Sequence, residues 1–174
     1  ETLKPKTGRM AVVVPHGVLF RGSAEGKIRQ KLIEENLLDA VIGLPEKLFY
    51  GTGIPAAVLV FRKDKTDNNV LFIDASKEFS PGKTQNVMDD AHVAKVLETY
   101  ATRAEIERYS YRASPEEIAE NGYNLNIPRY VDTFEPEEEI DVAAVQKDIV
   151  RIEAELADVR AKMAGYLKEL GVDV

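Results

Sequence analysis

The sequence predicts an α/β fold in which a sheet of parallel strands plus an antiparallel strand is followed by a long helix. Strand-sized apolar runs occupy residues 10–14, 38–44 and 56–62, and a helical pattern separates only the first two. A strand-helix-strand unit makes its two strands parallel through a right-handed crossover. The third run has no helix before it, so it returns most simply antiparallel to its predecessor. Beyond residue 136 the apolar residues change to a heptad repeat.

The first run is apolar, rich in β-branched residues and ended by Pro15. We interpret it as a strand buried on both faces. Ser23 is the expected N-cap of the following helix. That helix is indicated by apolar residues at helical spacing, namely Ile28, Leu32 and Ile33.

The later elements follow from local signals. Residues 70–75, reading VLFIDA, form a fourth expected strand, and residues 89–102 have the apolar spacing of a helix. Ser114 then begins a short helix as its N-cap, with Pro115 at the first helical position and Glu117 completing a capping box. An Asn-Gly pair ends this helix.

The heptad repeat defines a second predicted domain, residues 135–174, after a first domain at 1–134. Its apolar residues alternate spacings of four and three, and we call them the seam: Val145, Ile149, Ile152, Leu156, Val159, Met163, Tyr166 and Leu170. The residues between them are mostly charged or alanine. We expect a long helix that packs on a helix of a partner, or alternatively a seam that folds back on this chain's own core.

Composition limits the function classes. The chain has no cysteine and no local pair of histidines, so we expect no metal site. Its apolar runs are far shorter than a membrane span and no secretory signal opens it, which favours a cytoplasmic protein. Residues 135–174 hold 11 acidic and 5 basic residues, most of the net charge of −7. Neither domain has the basic stripe of an autonomous DNA binder.

Three stretches resemble a known family, and they occur in the family's order. They read GRMAVVVPHGVLFR at residues 8–21, LPEKLFYGTGIPAAVLVFRK at 44–63 and YNLNIPRYV at 123–131. Together they resemble the second half of a DNA adenine-N6 methyltransferase domain, that of the modification subunit (HsdM) of type I restriction-modification systems. The resemblance implies the carboxyl-terminal half of a Rossmann-like, S-adenosylmethionine-dependent methyltransferase sheet.

The family's catalytic and cofactor motifs are absent from this sequence. There is no glycine-rich turn between a strand and a helix, and no Pro-Pro pair for the family's Asp/Asn-Pro-Pro-Tyr/Phe segment. We therefore expect no catalytic or cofactor-binding residue in this chain, which is inactive alone. The resemblance implies that the complete enzyme uses S-adenosylmethionine and binds DNA. It also implies a specificity subunit, a second modification subunit and restriction subunits as partners.

The resemblance also implies a substrate-side role for the loop at residues 45–55. Such enzymes flip the target adenine out of the duplex, and an aromatic residue in this loop contacts the flipped base. Phe49 occupies that place, and Tyr50 could exchange roles with it. The alternative for Phe49 is a core side chain that covers the edge of the sheet.

Further candidate residues rest on position and charge. His16 and Gly17 follow the first strand, at the edge where open α/β sheets bind ligands, so they are a possible active-site edge. Arg21, Lys47 and Thr52 are candidate DNA-phosphate contacts. The alternatives are a histidine that caps a loop and ordinary solvated surface.

A second hypothesis from a different class is a non-catalytic α/β interaction module that oligomerises through its carboxyl-terminal helix. It explains the missing motifs without further sequence. An opening strand buried on both faces, with few parallel strands to cover it, argues instead for a methyltransferase domain entered midway. A glycine-rich turn and an Asn-Pro-Pro-Phe segment upstream would distinguish the two.

Overall fold

The computed structural model describes residues 3–133 and 141–170. The chain divides into two compact units, Glu1–Phe134 and Glu135–Val174. The first contains seven strands: β1 (Arg9–Pro15), β2 (Leu38–Gly43), β3 (Ala56–Arg62), β4 (Val70–Asp74), β5 (Ser80–Pro81), β6 (Asn86–Val87) and β7 (Ser110–Ala113). Its helices are α1 (Ser23–Glu34), α2 (Asp90–Thr102) and α3 (Pro115–Glu120).

Five strands form one mixed sheet in the order β1-β3-β2-β4-β7. The β2 and β4 strands are a parallel pair, whereas β3 is antiparallel to both β1 and β2, and β7 is antiparallel to β4. It follows that β1, β2 and β4 share one direction. The predicted antiparallel return of the third run is confirmed, and β3 lies between the two strands that α1 connects.

The first strand differs from its prediction. Although Arg9–Pro15 is a strand, it lies at the edge of the sheet, with β3 as its neighbour. Met10, Val12 and Val13 are exposed, so the interpretation of a strand buried on both faces was wrong for this chain. An unbroken run of β-branched residues indicates a strand and apolar surroundings, but the surroundings depend on what packs against it.

The sheet also contains more antiparallel pairing than expected, with two antiparallel strands instead of one. β7 reads SYRA, and four residues of mixed polarity give no recognisable period. The two-residue strands β5 and β6 pair as a small separate hairpin, which the sequence analysis also missed. We call residues 80–87 the hairpin.

Two apolar clusters cover the faces of the sheet. One includes Phe72, whose ring stacks on that of Tyr130 with centroids 3.9 Å apart. Leu125, Ile127 and Val131 are buried in the same cluster, so the segment that resembles the family's YNLNIPRYV is packed into the core. Alternate residues of the central strands, Ala40, Ile42, Leu71 and Ile73, belong to the other cluster.

The helix caps partly follow the predictions. Gly22, and not Ser23, is the N-cap of α1, and Ser23 is its first residue, with φ of 57°. Ser114 caps α3 by accepting a hydrogen bond from the backbone N–H of Glu117, as predicted. The Glu117 carboxylate accepts from the Tyr111 hydroxyl at 3.1 Å.

The second unit is the helix α4 (Val142–Glu169), a single helix of 28 residues. Asp141 precedes it, and its carboxylate accepts from the N–H groups of Ala143 and Ala144. All eight seam residues are exposed, by between 44% and 78%. Within the described residues, no helix is both long and apolar enough to cross a membrane.

Candidate functional site

The ends of four strands meet at one edge of the sheet. Pro15, which ends β1, is paired with Ala56 at the start of β3. Gly43, which ends β2, is paired with Ala57 on one side and with Asp74 of β4 on the other. Open α/β sheets bind ligands at the carboxyl ends of parallel strands. Residues 45–55, which connect β2 to β3, therefore lie at the edge where a ligand is expected, and we call them the 45–55 loop.

The start of the 45–55 loop is held by Asn86 of the hairpin. The Asn86 side chain, which is 9% exposed, donates from Nδ2 to the carbonyl of Glu46 at 2.9 Å. The backbone N–H of Asn86 donates to the carbonyl of Lys47, also at 2.9 Å. Lys47 has φ of 53°, a conformation that few residues other than glycine adopt. These two hydrogen bonds fix the backbone of the loop just before Phe49.

The second half of the loop is a local turn. Gly51 has φ of 76°, and the Thr52 hydroxyl accepts a hydrogen bond from the N–H of Ile54 at 3.1 Å. Such a side-chain turn needs a hydroxyl or carboxylate two residues before its donor. Together with the Asn86 contacts, this turn presents Phe49, Tyr50 and Thr52 on the surface.

An apolar cleft of about 260 Å³ lies between the loop and β1. Its walls are Val13, Val14, Pro15, Phe49, Thr52, Ile54, Pro55 and Ala56. The Phe49 side chain is 41% exposed. A half-exposed aromatic ring in an apolar cleft offers a stacking surface for a flat ligand.

A second, more polar cleft of about 350 Å³ lies between the loop and the hairpin. It is lined by Lys47, Phe49, Tyr50, Gly51, Thr52, Gly53, Thr84 and Gln85. Phe49 and Thr52 therefore belong to both clefts, whereas Tyr50, which is 89% exposed, lines only the polar one. The structure thus distinguishes the two aromatic candidates.

The three candidate phosphate contacts do not all come together. Lys47 and Thr52 both line the polar cleft. Arg21 lies elsewhere, in the segment after β1, where its guanidinium lies over Gly17 and is 3.9 Å from the Glu25 carboxylate. A Cβ on Gly17 would be 2.8 Å from that guanidinium.

His16 begins a short 3₁₀ helix, His16–Leu19, directly after β1. Its Nε2 is buried without a hydrogen-bond partner among the described residues. The buried Arg29 of α1 holds this segment by donating from Nη1 to the carbonyls of Val18 and Arg21, and from Nε to that of Tyr123. Burial lowers the pKa of Arg29 from its usual value, and the nearby Glu25 opposes that shift.

Neither Arg29 nor Asn86 was predicted from the sequence. Arg29 binds the carbonyl of Tyr123, 94 residues away, and Asn86 binds that of Glu46, 40 residues away; no local motif indicates such contacts. The sequence gives one sign of each residue. Arg29 is a charged residue among the apolar positions of α1, and Asn86 is a polar residue shortly after a Pro-Gly turn. Asn86 holds the loop that lines the apolar cleft, and Arg29 holds the segment that follows β1.

Two glycines near the carboxyl ends of β1 and β2, Gly17 and Gly43, have little open space beside them. A Cβ on Gly43 would meet the Ile127 side chain at 2.6 Å, and the space beside Gly17 is filled by Arg21. No cluster of three metal-ligating side chains occurs within residues 3–133 or 141–170.

A charged network lies at the opposite end of the strands from the clefts. Asp39 is 1% exposed, near the start of β2, and accepts from the Tyr100 hydroxyl at 2.5 Å and from Arg103 at 3.0 Å. Arg62 is 3.7 Å from the same carboxylate, and its hydrogen bond to Asp64 raises the pKa of Arg62. Because Asp39 is far along β2 from the clefts, we assign this network to stability.

Comparisons with known proteins agree on one family. The model of the N-6 DNA methylase family matches residues 1–139. A methylase subunit of a type I restriction enzyme, MjaVII from Methanocaldococcus jannaschii, is 34% identical over 166 residues. That match covers 92% of this chain and 29% of the relative, so the chain spans less than a third of the length of that relative.

Solved structures give the same result. The methyltransferase subunit of a type I restriction-modification system from Streptococcus thermophilus is 58% identical, with a TM-score of 0.71, over 73% of this chain and 27% of its own. A chain of a type I restriction-modification system, solved for its complex assembly and conformational transition, shares the fold over 96% of this chain and 37% of its own. It has a TM-score of 0.59 and 21% identity. The chain therefore belongs to the N-6 DNA methylase family, among the methylase subunits of type I restriction enzymes.

Proposed function

We propose that this chain supplies the target-base side of a type I adenine-N6 DNA methyltransferase and helps to assemble its subunits. The complete enzyme transfers a methyl group from S-adenosylmethionine to the N6 of adenine in DNA. Membership of the N-6 DNA methylase family favours this function over that of a non-catalytic interaction module. The observation that carries the proposal is the position of Phe49, half exposed in an apolar cleft at the carboxyl edge of the sheet.

The apolar cleft suits a flipped adenine. The target amine is inaccessible in the stacked duplex, so the base must leave the stack and gain stability between apolar or aromatic faces. Phe49 provides one aromatic face, and Ile54 and Val14 provide apolar neighbours. We infer that Phe49, and not the more exposed Tyr50, stacks on the base.

The exposed edge strand β1 supports the proposal that another part of the enzyme completes the sheet. Met10, Val12 and Val13 are exposed apolar residues on an edge strand, and soluble proteins rarely leave such an edge uncovered. We infer that a further strand of the methyltransferase sheet pairs with β1. The cofactor site and the segment that binds the target amine then belong to that other part of the enzyme, since this chain lacks both motifs.

The exposed seam of α4 supports a role in assembly. Eight apolar side chains at heptad spacing face solvent along one helix, and a helix with this pattern is stabilised by packing on another helix. We propose that a helix of the specificity subunit packs on this seam. The second modification subunit and the restriction subunits would complete the assembly around DNA.

The decisive experiment replaces Phe49 by Ala in the full-length methylase subunit assembled with its specificity subunit. Methyl transfer to adenine and the fluorescence of 2-aminopurine at the target position are measured. Stacking of a base on an aromatic side chain contributes about 1–3 kcal/mol. We therefore expect about a 5- to 150-fold loss of methylation and a weaker flipping signal, with subunit assembly unchanged.

Two further variants sharpen this test. Tyr50→Ala in the same assembly shows which aromatic residue contacts the base, and we expect the smaller loss for it. Leu97→Ala removes an apolar side chain that is 59% exposed on α2, outside the cleft, and should leave methylation unchanged. Full methylation by the Phe49→Ala enzyme would reject the stacking role.

A further inference from the structure

The two clefts beside the 45–55 loop differ in character but share a wall. Phe49 and Thr52 line both of them. The cleft toward β1 is almost entirely apolar, whereas the cleft toward the hairpin combines two aromatic side chains with a lysine, two threonines and a glutamine. One short loop thus offers an apolar surface and a more polar one next to each other.

A nucleotide likewise combines an apolar surface with a charged one. Its base presents a flat face that stacks on aromatic side chains, and its backbone carries an anionic phosphate that binds lysine and hydroxyl groups. Phe49 and Thr52 line both clefts, so a phosphate in the polar cleft would be a neighbour of a base in the apolar cleft.

The groups in the polar cleft suit an anionic backbone. The Thr52 hydroxyl already accepts from Ile54, which leaves its O–H free to donate. Among the described residues, no carboxylate lines the cleft. The Lys47 ammonium is 61% exposed and 3.6 Å from the Glu46 carboxylate, a surface pair that contributes little and competes weakly with a phosphate.

The hairpin gives the polar cleft a second, fixed wall. Thr84 and Gln85 lie at its tip, where Gly82 permits a tight turn because a Cβ there would be 2.3 Å from the Gln85 carbonyl oxygen. The Oε1 of Gln85 is buried with no hydrogen-bond partner in the described part of the chain. The Gln85 side-chain amide also carries an N–H₂ group, which can donate hydrogen bonds. Asn86 attaches the tip to the loop.

We propose that the polar cleft binds the DNA sugar-phosphate backbone next to the flipped adenine, with the hairpin as a second DNA-contacting element. This inference rests on the proposed function. Lys47 and Thr52 hold the phosphate from the loop, and Thr84 and Gln85 hold it from the hairpin. Through Asn86, the hairpin and the loop contact the same nucleotide as one unit.

The test uses the full-length methylase subunit assembled with its specificity subunit, carrying Lys47→Gln or Thr84→Val. DNA affinity is measured by fluorescence anisotropy with a labelled duplex over a range of salt concentrations, and kcat and KM are measured by methyl transfer. For Lys47→Gln we expect about a 5- to 10-fold weaker affinity and a salt slope smaller by about one. Thr84→Val should weaken affinity about 2- to 10-fold with an unchanged slope, because it removes a neutral donor.

A contact made equally before and during methyl transfer changes KM and leaves kcat within about twofold. This separates the polar cleft from Phe49, whose loss lowers kcat. Lys31→Gln is the matched control, because Lys31 lies in the last turn of α1, outside the lining of the clefts, and pairs with Glu35 on the surface. Melting temperatures of all variants check that they fold.

Two results would overturn the inference: unchanged affinity and salt slope in both variants, or a loss confined to kcat. The anisotropy measurement does not depend on methylation. A parent assembly that binds DNA but does not methylate adenine would reject the proposed function, while the salt slopes would still decide the role of the polar cleft.

Discussion

Asn86 donates its side-chain amide to the backbone carbonyl of Glu46 across 2.9 Å, although 40 residues separate them in sequence. A second hydrogen bond joins the same segments, from the Asn86 N–H to the Lys47 carbonyl. Backbone carbonyls of a surface loop otherwise bind water, and the loop would then sample several conformations. Asn86 therefore couples the hairpin to the loop that carries Phe49.

Replacing Asn86 by Ala should release the 45–55 loop. Loss of the buried amide leaves the Glu46 carbonyl without its partner, and we expect a destabilisation of about 1–3 kcal/mol. Amide hydrogen exchange of residues 45–55 should become faster, while that of the central strands changes less. Gln30→Ala, which removes an exposed amide paired with Glu34, is the control and should leave exchange in the loop unchanged. Unaltered exchange in the Asn86 variant would contradict the coupling.

Asp39 should be the most sensitive charged residue of the first unit. Its buried carboxylate is bound by Tyr100 and Arg103, and removing it leaves the Arg103 cation with less compensation. We expect Asp39→Ala to lower the free energy of unfolding by about 3–5 kcal/mol. Urea denaturation of the 174-residue chain measures this change. The control is Glu107→Ala, whose side chain is 89% exposed and should matter by less than about 0.5 kcal/mol.

Two buried tyrosines should respond differently to loss of their hydroxyls. The Tyr130 hydroxyl donates to the Asn124 carbonyl at 2.6 Å, whereas the buried Tyr109 hydroxyl has no hydrogen-bond partner within the described residues. We expect Tyr130→Phe to destabilise the chain by about 1 kcal/mol at neutral pH, and Tyr109→Phe to be neutral or stabilising. Urea unfolding of both variants compares them directly. Equal losses in the two variants would contradict this prediction.

The same tyrosines predict a loss of stability at alkaline pH. Burial, and then the neighbouring carboxylates of Glu78 and Asp74, raises the pKa of Tyr109 to about 12, and burial likewise raises that of Tyr130 to about 12. The unfolded chain loses these protons near pH 10 while the folded chain retains them. The stability that the two raised pKa values contribute is therefore fully present below about pH 10 and is lost as the pH rises toward 12. Each Tyr→Phe variant should show a shallower decline, measured by urea unfolding at several pH values.

A negative charge on the seam of α4 should weaken subunit assembly. Leu156 is a seam residue that is 45% exposed, whereas Val150 is 57% exposed but lies off the seam on the same helix. Leu156→Asp should weaken binding of the full-length methylase subunit to its specificity subunit at least tenfold, because a carboxylate would be buried in the helix contact. Val150→Asp is the matched control and should bind normally. Sedimentation of the mixed subunits measures both, and equal binding by the two variants would reject the seam as the contact.

Much of the fold was predictable because its signals are local. The runs that became β2, β3 and β4, the helix α2, the Ser114 cap of α3 and the long helix α4 all follow from periods and capping residues within a short window. The exposure of β1 was not predictable, since it depends on which strand becomes its neighbour. The four residues of β7 and the two-residue strands of the hairpin are too short to show any period.

The candidate site divides in the same way. Phe49 was predicted from the family resemblance, and Lys47 and Thr52 from position and charge. The structure brings the three together because they share one loop. Arg21 lies elsewhere, because it follows β1 whereas the 45–55 loop follows β2. Asn86 and Arg29 were not foreseen, since they bind the carbonyls of Glu46 and Tyr123, which are 40 and 94 residues away. Thr84 was not foreseen, since it meets Lys47 and Thr52 only across the polar cleft.

The sequence by itself determined the family, the strands β1 to β4, the helices and the heptad seam, because each depends on residues that are neighbours along the chain. Only the tertiary structure decided that β3 lies between β1 and β2, that β1 is an exposed edge, and that a hairpin forty residues away holds the loop of Phe49. Strand order and long-range hydrogen bonds depend on how distant segments pack, and hydrophobic periodicity carries no information about partners.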